Sequence, residues 1–110
     1  MLPSQKRLSR PAFSVFLASK ELKTVFNAIG TLKYQKNVID KASIVISSKN
    51  EKRAVYRNRL RRRIYSLFGN VFKETDNKNL YVLYVSKQAT SFTYEDLRRL
   101  FYELFKKTTE

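Results

Sequence analysis

Neither cysteine nor histidine occurs among the 110 residues of the chain. Without cysteine there can be no disulfide framework and no thiolate metal site. Without histidine the chain lacks the commonest metal ligand and the usual general base. No apolar run approaches the roughly 18 residues that a membrane span needs, and the N-terminus lacks the apolar core of a signal peptide. We therefore expect a cytoplasmic protein that has no membrane partner.

Acidic residues are also scarce, and no group of them is arranged for catalysis. There are nine, and the one adjacent pair, Glu95-Asp96, is explained by helix capping. The sequence contains no paired-acid nuclease motif and no glycine-rich phosphate loop. Ser47 and Ser48 have no histidine to activate them. We expect no catalytic residue, no metal site and no small-molecule cofactor in the protein itself.

The remaining composition is that of a basic chain that can fold unaided. Lysine and arginine number 23, the net charge is +14, and the isoelectric point is about 10.3. Apolar residues make up 43% of the chain, which is enough for one core, so we expect a single domain over residues 1–110. So high a positive charge favours nucleic acid or an anionic membrane surface as the partner.

The positive charge is concentrated between Lys49 and Arg63, where eight of fifteen residues are lysine or arginine. No glycine or proline occurs in this segment. The composition predicts a helix over 51–68 that ends at Gly69-Asn70. Apolar residues recur along it at helical spacing and are expected to face the core: Tyr56, Leu60, Ile64, Leu67 and Phe68.

The other side of this helix carries like charges. Arg57 and Arg61, and likewise Arg59 and Arg63, are i, i+4 pairs, and each such pair costs about 0.2–0.5 kcal/mol. An ordinary solvated face would carry both signs of charge. Guanidinium groups bind phosphate in a bidentate manner, so a polyanion would relieve the repulsion. We interpret this side, on which Tyr65 is also expected, as a polyanion-binding site, with a solvated basic face as the alternative.

The segments around this helix predict further helices and strands. A short helix that starts near Pro11 would carry Phe13 and Phe16 one turn apart, and this spacing by itself favours the core for both. Residues rich in β-branched and aromatic side chains predict three strands: 23–34, 42–48 and 80–85. Within the first of these, Gly30 indicates either a bulge or a close approach of another group.

The C-terminal segment shows the clearest helical pattern. Thr93 and Asp96 form a capping-box pattern. Apolar residues then recur at helical spacing and predict core packing: Leu97, Leu100, Phe101, Leu104 and Phe105. The element order is α-β-β-α-β-α, which predicts a two-layer α/β sandwich with a central arginine-rich helix. The general rule for a strand–helix–strand unit predicts a right-handed crossover.

The residues around the basic helix resemble a known signature. The run Ser47-Ser48-Lys49-Asn50, followed by Arg53-Ala54-Val55-Tyr56-Arg57-Asn58-Arg59-Leu60-Arg61-Arg62, is similar to that of the bacterial ribonuclease P protein component. Arg7-Leu8 with the two following phenylalanines resembles that family's opening helix, and Thr93-Tyr94-Glu95-Asp96-Leu97 resembles the start of its last helix. The sequence departs from the pattern at Ser48, where the family has lysine, and at Lys52, where many members have glycine.

The resemblance implies an α+β fold with a four-stranded sheet and a left-handed central βαβ crossover. It also implies an accessory subunit of an endoribonuclease, because the family binds a large catalytic RNA that uses divalent metal (Mg²⁺) to remove the 5′ leader from precursor tRNA. The RNA-binding residues in this interpretation are Lys49, Lys52, Arg53, Arg57, Asn58, Arg59, Arg61, Arg62 and Arg63. Phe13 and Phe16 would line a leader-binding cleft, where stacking aromatics contribute roughly 1–3 kcal/mol per base.

The main alternative is another small basic RNA-binding protein, such as a ribosomal protein. Such a protein would share the charge but has no need of the Arg-Asn-Arg element. A DNA-binding module is disfavoured because neither a zipper nor a helix-turn-helix spacing follows the basic helix. A membrane-surface helix is disfavoured because the core needs the apolar stripe, and a stand-alone nuclease because the required acids and histidine are missing.

Overall fold

A computed structural model describes residues 22–36, 40–47, 49, 51–74 and 78–108 of the protein. Within these residues a four-stranded sheet packs against two helices. The elements in chain order are β1 (Lys23–Asn27), β2 (Gly30–Lys36), β3 (Lys41–Val45), α1 (Ala54–Glu74), β4 (Asn79–Val85), a short 3-10 turn (Gln88–Ser91) and α2 (Tyr94–Lys107). The predicted opening helix, with Phe13 and Phe16, lies outside the described residues.

The sheet is mixed, with strand order β1-β2-β4-β3. Strand β2 pairs antiparallel with β1 and β4, whereas β3 pairs parallel with β4. A parallel pair needs a crossover connection, and α1 supplies it between β3 and β4. The expected α+β class and the four-stranded sheet are confirmed, and the left-handed sense of the crossover stays a prediction.

The predicted single strand over 23–34 is wrong, since this segment forms the β1–β2 hairpin. Ala28 and Ile29 make the turn. The Asn27 side chain shapes it, because its Oδ1 accepts a hydrogen bond from the Ile29 backbone N–H at 2.9 Å. Asparagine commonly stabilises turns in this way, so Asn27 was the available signal in a segment otherwise rich in β-formers. The described part of the chain therefore contains one strand more than the sequence pattern predicts.

Gly30 opens β2 at a point where two strands come very close. Its φ is +150°, and a Cβ at this position would lie 2.0 Å from the Tyr84 carbonyl oxygen. Glycine tolerates both the backbone conformation and the close contact. The predicted close approach is confirmed, whereas the alternative of a bulge is wrong, because Gly30 pairs in regular register with Val85.

Helix α1 starts three residues later than predicted, at Ala54. The chain before it forms a turn in which the Glu51 backbone N–H donates to the Ser47 carbonyl at 3.1 Å. The Glu51 carboxylate in turn accepts a hydrogen bond from the Arg53 backbone N–H at 3.1 Å. This contact satisfies one of the backbone donors that a helix start leaves unpaired. Glu51 therefore precedes the helix instead of belonging to it.

The predicted helix end at Gly69-Asn70 is also wrong, because α1 continues to Glu74. Beyond the glycine, Val71 is buried and Phe72 packs against the core. A glycine inside a helix costs about 1 kcal/mol. Burial of a large apolar side chain contributes about 1.5–3 kcal/mol, so tertiary packing outweighs the local signal.

The core lies between the sheet and the two helices, and Phe68 of α1 is at its centre. The Phe68 side chain is fully buried. Four other aromatic rings, from α1, β4 and α2, have centroids 4.9–6.1 Å from its own: Phe72, Tyr81, Phe101 and Phe105. Burial raises the pKa of Tyr81 to about 12, so its hydroxyl stays protonated at neutral pH. This cluster joins both helices to the sheet.

The expected core positions of α1 are confirmed with two exceptions. Leu60, Ile64, Leu67 and Phe68 are buried. Tyr56, which was expected inside, is 43% exposed, and Tyr65, which was expected outside, is buried. Tyr56 is exposed because the buried stripe of α1 begins only at Leu60, whereas Tyr65 lies beside the fully buried Ile64.

Helix α2 agrees closely with its prediction. Thr93 Oγ1 accepts a hydrogen bond from the Asp96 backbone N–H at 3.2 Å, and the Asp96 carboxylate accepts one from the Thr93 N–H, so the capping box is present. The predicted core positions of this helix are buried, apart from a half-buried Leu100. No helix among the described residues is long and apolar enough to cross a membrane.

Candidate nucleic-acid interface

The nine predicted RNA-binding residues lie on one continuous stretch of chain at the start of α1. Lys49 and Lys52 precede the helix, Arg53 is the residue just before its first turn, and the others lie on the first three turns, up to Arg63. None of the nine is buried. Together these nine residues form what we term the cationic end of α1.

The exposed cations surround the start of the helix instead of occupying one face. From Ala54 to Arg59 no residue is buried, and the buried stripe begins at Leu60. The sequence could not show this, because Tyr56 continues the apolar spacing of the stripe. The guanidinium groups can therefore be reached from more than one direction.

One carboxylate, that of Glu51, forms an ion pair with the cationic end within the described part of the chain. Arg53 donates from Nε to Oε1 of Glu51 at 2.9 Å and from Nη2 to Oε2 at 3.1 Å. These side-chain hydrogen bonds, with the one from the Arg53 backbone, lower the pKa of the Glu51 carboxyl, so it is ionised at neutral pH. Arg57 donates from Nη1 to the Glu51 backbone carbonyl at 2.8 Å, which holds its guanidinium beside the helix start.

Helix α1 also concentrates positive charge at its own N-terminus. Its first turn contains no acidic residue, although a helix N-terminus carries a partial positive charge that acids normally balance. Arg61 donates from Nη1 to the Asn58 side-chain oxygen at 3.1 Å, a contact that orients the guanidinium without neutralising it. Phosphate is the anion that such an arrangement favours.

Two exposed tyrosines accompany these arginines. The Arg53 guanidinium carbon lies 3.8 Å from the ring centroid of Tyr56, and that of Arg59 lies 5.4 Å from it. Tyr94, at the start of α2, is 41% exposed, and the Arg63 guanidinium carbon lies 5.9 Å from its ring centroid. The sequence pattern predicts neither tyrosine as a binding residue, although arginines three residues before and after Tyr56 are a signal that points to it.

An open pocket of about 190 Å³ lies between the cationic end of α1 and the chain that follows the 3-10 turn. Its wall on the α1 side includes Glu51, Tyr56, Arg59 and Arg63, and Phe92 contributes from the other side. The pocket thus combines aromatic rings, two guanidinium groups and one carboxylate. Nothing in the sequence pattern brings Phe92 next to Tyr56, so this pocket is a product of the tertiary structure.

A second surface with basic and aromatic residues lies on the sheet face away from the helices. Alternation along β2 directs Thr31 and Lys33 to this face, because Leu32 belongs to the core. Lys33 has its Nζ 5.8 Å from the ring centroid of Tyr84, on the neighbouring strand β4. Phe26 of β1, opposite Thr31 in the register, is 70% exposed. None of these residues was predicted from the sequence as part of a binding site. The predicted cleft residues, Phe13 and Phe16, are outside the described residues.

The fold and these surfaces define a class: a small basic α+β protein that binds nucleic acid. Among the described residues no group of three acidic side chains could hold a metal ion. The chain belongs to the ribonuclease P protein family, since the family model described as Ribonuclease P matches residues 2–109. It is accordingly an accessory protein subunit of an endoribonuclease that processes tRNA. Its partner in that holoenzyme is an RNA.

Solved structures of two bacterial proteins share the fold. The RNase P protein of Staphylococcus aureus is 20% identical, with a TM-score of 0.81 over 94% of this chain and 94% of that one. The RNase P protein of Thermotoga maritima is 22% identical, with a TM-score of 0.72 over 86% of this chain and 90% of that one. The comparison with curated protein sequences gives no match. The family membership favours the ribonuclease P interpretation over that of a ribosomal protein.

Proposed function

We propose that the cationic end of α1 binds the catalytic RNA of the holoenzyme through its phosphates. The observation that carries this proposal is the lack of charge balance: Arg53 has a carboxylate partner in the described part of the chain, and the other cations of the set have none there. Water and salt can screen such charges, but phosphate can satisfy several guanidinium forks at once. The positive N-terminus of the helix adds to the same attraction.

We further propose that precursor tRNA meets the protein on the other side of the sheet. The single-stranded 5′ leader would lie along the face that carries Lys33 and Tyr84, with Phe13 and Phe16 completing the cleft. Aromatic rings accept any base by stacking, at roughly 1–3 kcal/mol per base, and lysine contacts the backbone. A leader whose sequence differs between substrates calls for contacts of this kind.

The division of labour in the holoenzyme follows from the side chains that this protein offers. Divalent metal (Mg²⁺) would be bound by the RNA subunit, because hard cations take carboxylate or phosphate oxygens and the described part of the protein offers no acidic cluster. The protein would contribute binding and orientation of the substrate. A cytoplasmic location is part of the same proposal, since both RNA partners would be found there.

The RNA contact is tested by the salt dependence of binding. Each phosphate that a cation contacts contributes about −0.7 to the slope of log affinity against log salt for single strands, and about −0.9 for B-form DNA. We expect a slope of several units for the catalytic RNA, measured by filter binding or fluorescence titration. A nearly flat dependence would contradict the proposal.

The leader contact is tested by a series of precursor tRNAs that differ in leader length. Phe13→Ala and Phe16→Ala, each in the reconstituted holoenzyme, are expected to weaken binding of precursors with leaders of several nucleotides. Binding of mature tRNA or of a precursor with a very short leader should change little. Thermal melts of the free protein serve as the control, because loss of a core residue would lower the melting temperature and weaken every complex equally.

A further inference from the structure

The pocket beside the cationic end of α1 is smaller than the pockets that bury a whole drug-sized ligand. Its volume is about 190 Å³, whereas pockets that bury a drug-sized ligand measure roughly 300–1,000 Å³. A site this small and open suits one part of a larger molecule that is held mainly elsewhere. Since the surrounding surface is cationic, the larger molecule is expected to be a polyanion.

The residues of the pocket wall favour a base inside the pocket and a phosphate beside the arginines. Glu51 is one of the residues that line the pocket, and only 10% of its side chain is exposed. The Glu51 carboxylate is already bonded to Arg53, whereas Arg59 and Arg63 have no carboxylate partner in the described part of the chain, so a phosphate is expected beside these two guanidinium groups. Tyr56 and Phe92 offer aromatic surface to a flat, uncharged group inside. Aromatic surface bordered by guanidinium groups is the arrangement with which proteins hold unpaired bases.

The orientation of Tyr56 is itself maintained by the same residues. Arg53 is held by its hydrogen bonds to Glu51 at 2.9 and 3.1 Å, and its guanidinium carbon lies 3.8 Å from the Tyr56 ring centroid. Tyr56 nevertheless has 43% of its surface exposed. An exposed tyrosine held in this way loses little conformational entropy when a base stacks on it.

We propose that this pocket takes the base of one unpaired nucleotide of the RNA subunit, while Arg59 and Arg63 hold its phosphate. The inference deepens the proposed function and depends on it, because the cationic end of α1 must first bring the RNA to this place. In an A-form helix the bases are stacked inside and cannot enter a pocket, so the nucleotide must come from a bulge, loop or single-stranded joint. The protein would thereby recognise a place in the RNA where regular pairing is interrupted.

The Glu51 carboxylate adds a preference among bases. An ionised carboxylate accepts hydrogen bonds and donates none, and three of its roughly four acceptor positions are used by Arg53. The remaining position favours a base with an exocyclic amino group, such as adenine, cytosine or guanine. Uracil has no exocyclic amino group, and its single donor, N3–H, is flanked by two carbonyl oxygens that the carboxylate repels.

The test compares two RNA duplexes that are identical except for one bulged adenosine. The full-length protein is expected to bind the bulged duplex roughly tenfold more tightly, the effect of one stacked base. Tyr56→Leu should abolish this preference, because it keeps the bulk of the side chain but removes the ring. Tyr94→Leu is the matched control, since Tyr94 is equally exposed but does not line the pocket. It should retain the preference.

A second comparison exchanges the bulged adenosine for uridine. Wild-type protein should bind the uridine bulge more weakly than the adenosine bulge, and Glu51→Gln, which can donate as well as accept, should reduce this difference. Melting temperatures of each variant establish that the fold is intact before binding is compared.

The outcomes separate the two proposals. If both duplexes bind with a steep salt dependence but with equal affinity, the pocket does not take a base and this inference is wrong, whereas the phosphate contact stands. If Tyr94→Leu abolishes the bulge preference as fully as Tyr56→Leu does, the pocket is not the site. If neither duplex nor the catalytic RNA shows a salt-dependent affinity, the proposed function itself is contradicted.

Discussion

Helices α1 and α2 share one core, yet their N-termini are built in opposite ways. Helix α2 starts with a capping box, carries Glu95 and Asp96 in its first turn and ends with Lys106 and Lys107. This distribution balances the helix dipole at both ends. Helix α1 has no acid in its first turn, which contains Arg57, and Arg53 stands immediately before it. The charges of α2 therefore stabilise the helix itself. Those at the start of α1 are not balanced by acids of its first turn, so they favour the binding of an external anion.

The two helices also differ in how burial is distributed along them. In α2 buried residues begin at Leu97 and recur to Phe105. In α1 the first six residues are unburied, and the buried ones extend from Leu60 to Val71. The C-terminal two-thirds of α1 anchors the helix, and its N-terminal third is available to a partner. The residues that anchor α1 and those proposed to bind RNA are thus largely separated along the helix and overlap only between Leu60 and Arg63.

The strongest test of this separation removes the anchor. Phe68→Ala should reduce the free energy of unfolding by about 3–5 kcal/mol, as deletion of a buried aromatic ring does, because this ring touches both helices and the sheet. Denaturant unfolding of the free protein measures it. Phe26→Ala, at a residue that is 70% exposed, is the control. A comparable loss in both variants would contradict the position of the core.

The next effect concerns the cationic end of α1. Arg59→Ala, Arg61→Ala and Arg62→Ala should each lower the salt slope of catalytic-RNA binding by about 1 unit, while the melting temperature stays unchanged, because all three side chains lie outside the core. The matched controls are Arg98→Ala and Arg99→Ala, two exposed arginines of α2. If the α2 variants lowered the slope as much, binding would depend on total charge instead of on α1.

A smaller effect is expected from the cap of α2. Thr93→Ala removes the acceptor of the Asp96 N–H and should cost about 1 kcal/mol of stability, as the loss of an N-cap side chain typically does. RNA affinity, measured at a temperature where the variant is fully folded, should be unaffected. Thr24→Ala, at an exposed strand position, controls for the loss of a threonine. A loss of RNA affinity in Thr93→Ala at temperatures well below its melting point would connect α2 to the RNA contact.

The comparison can also be sharpened by making α1 resemble α2. Val55 is the second residue of α1, as Glu95 is of α2, and it is 67% exposed. Val55→Glu should raise the stability of the free protein by about 0.3–1 kcal/mol through the helix dipole and should weaken RNA binding. Val55→Gln has nearly the same shape without the charge. Equal RNA affinity of the two variants would show that no phosphate approaches this helix start.

The least pronounced effect is a pH dependence due to Glu51. Its pKa in the folded protein is lowered below the ordinary value of 4.5, first of all by the hydrogen bond from the Arg53 side chain. The unfolded chain therefore binds more protons in this range, so stability rises with pH. The contribution is fully present above the ordinary pKa and is lost as the pH falls through the lowered one. Unfolding measured from about pH 6 to pH 3 should show a shallower decline for Glu51→Gln than for the control Glu95→Gln.

Local patterns were sufficient where one short-range interaction decides the structure. The capping box at Thr93 and the apolar period of α2 are both set by residues within a few positions of each other, and both are present. Local patterns failed where a distant group decides. The turn at Ala28 and Ile29 interrupts a run of good β-formers and is bonded to the distant Ser86, whose N–H and Oγ donate to the carbonyls of Ile29 and Ala28. The helix continues through Gly69 because Val71 and Phe72 reach the core.

The sequence by itself determined the chemistry of this protein: a basic chain without cysteine or histidine, with an Arg-Asn-Arg helix start and a regular C-terminal helix. Composition and spacing are enough for this, because charge and helical period are properties of neighbouring residues. The tertiary structure decided which tyrosine is buried, Tyr65 or Tyr56, and brought Phe92 to the arginines of α1. The reason is geometric: Tyr56 and Tyr65 are nine residues apart and therefore lie on opposite sides of the helix, and only the place at which α1 meets the rest of the fold determines which of them is covered.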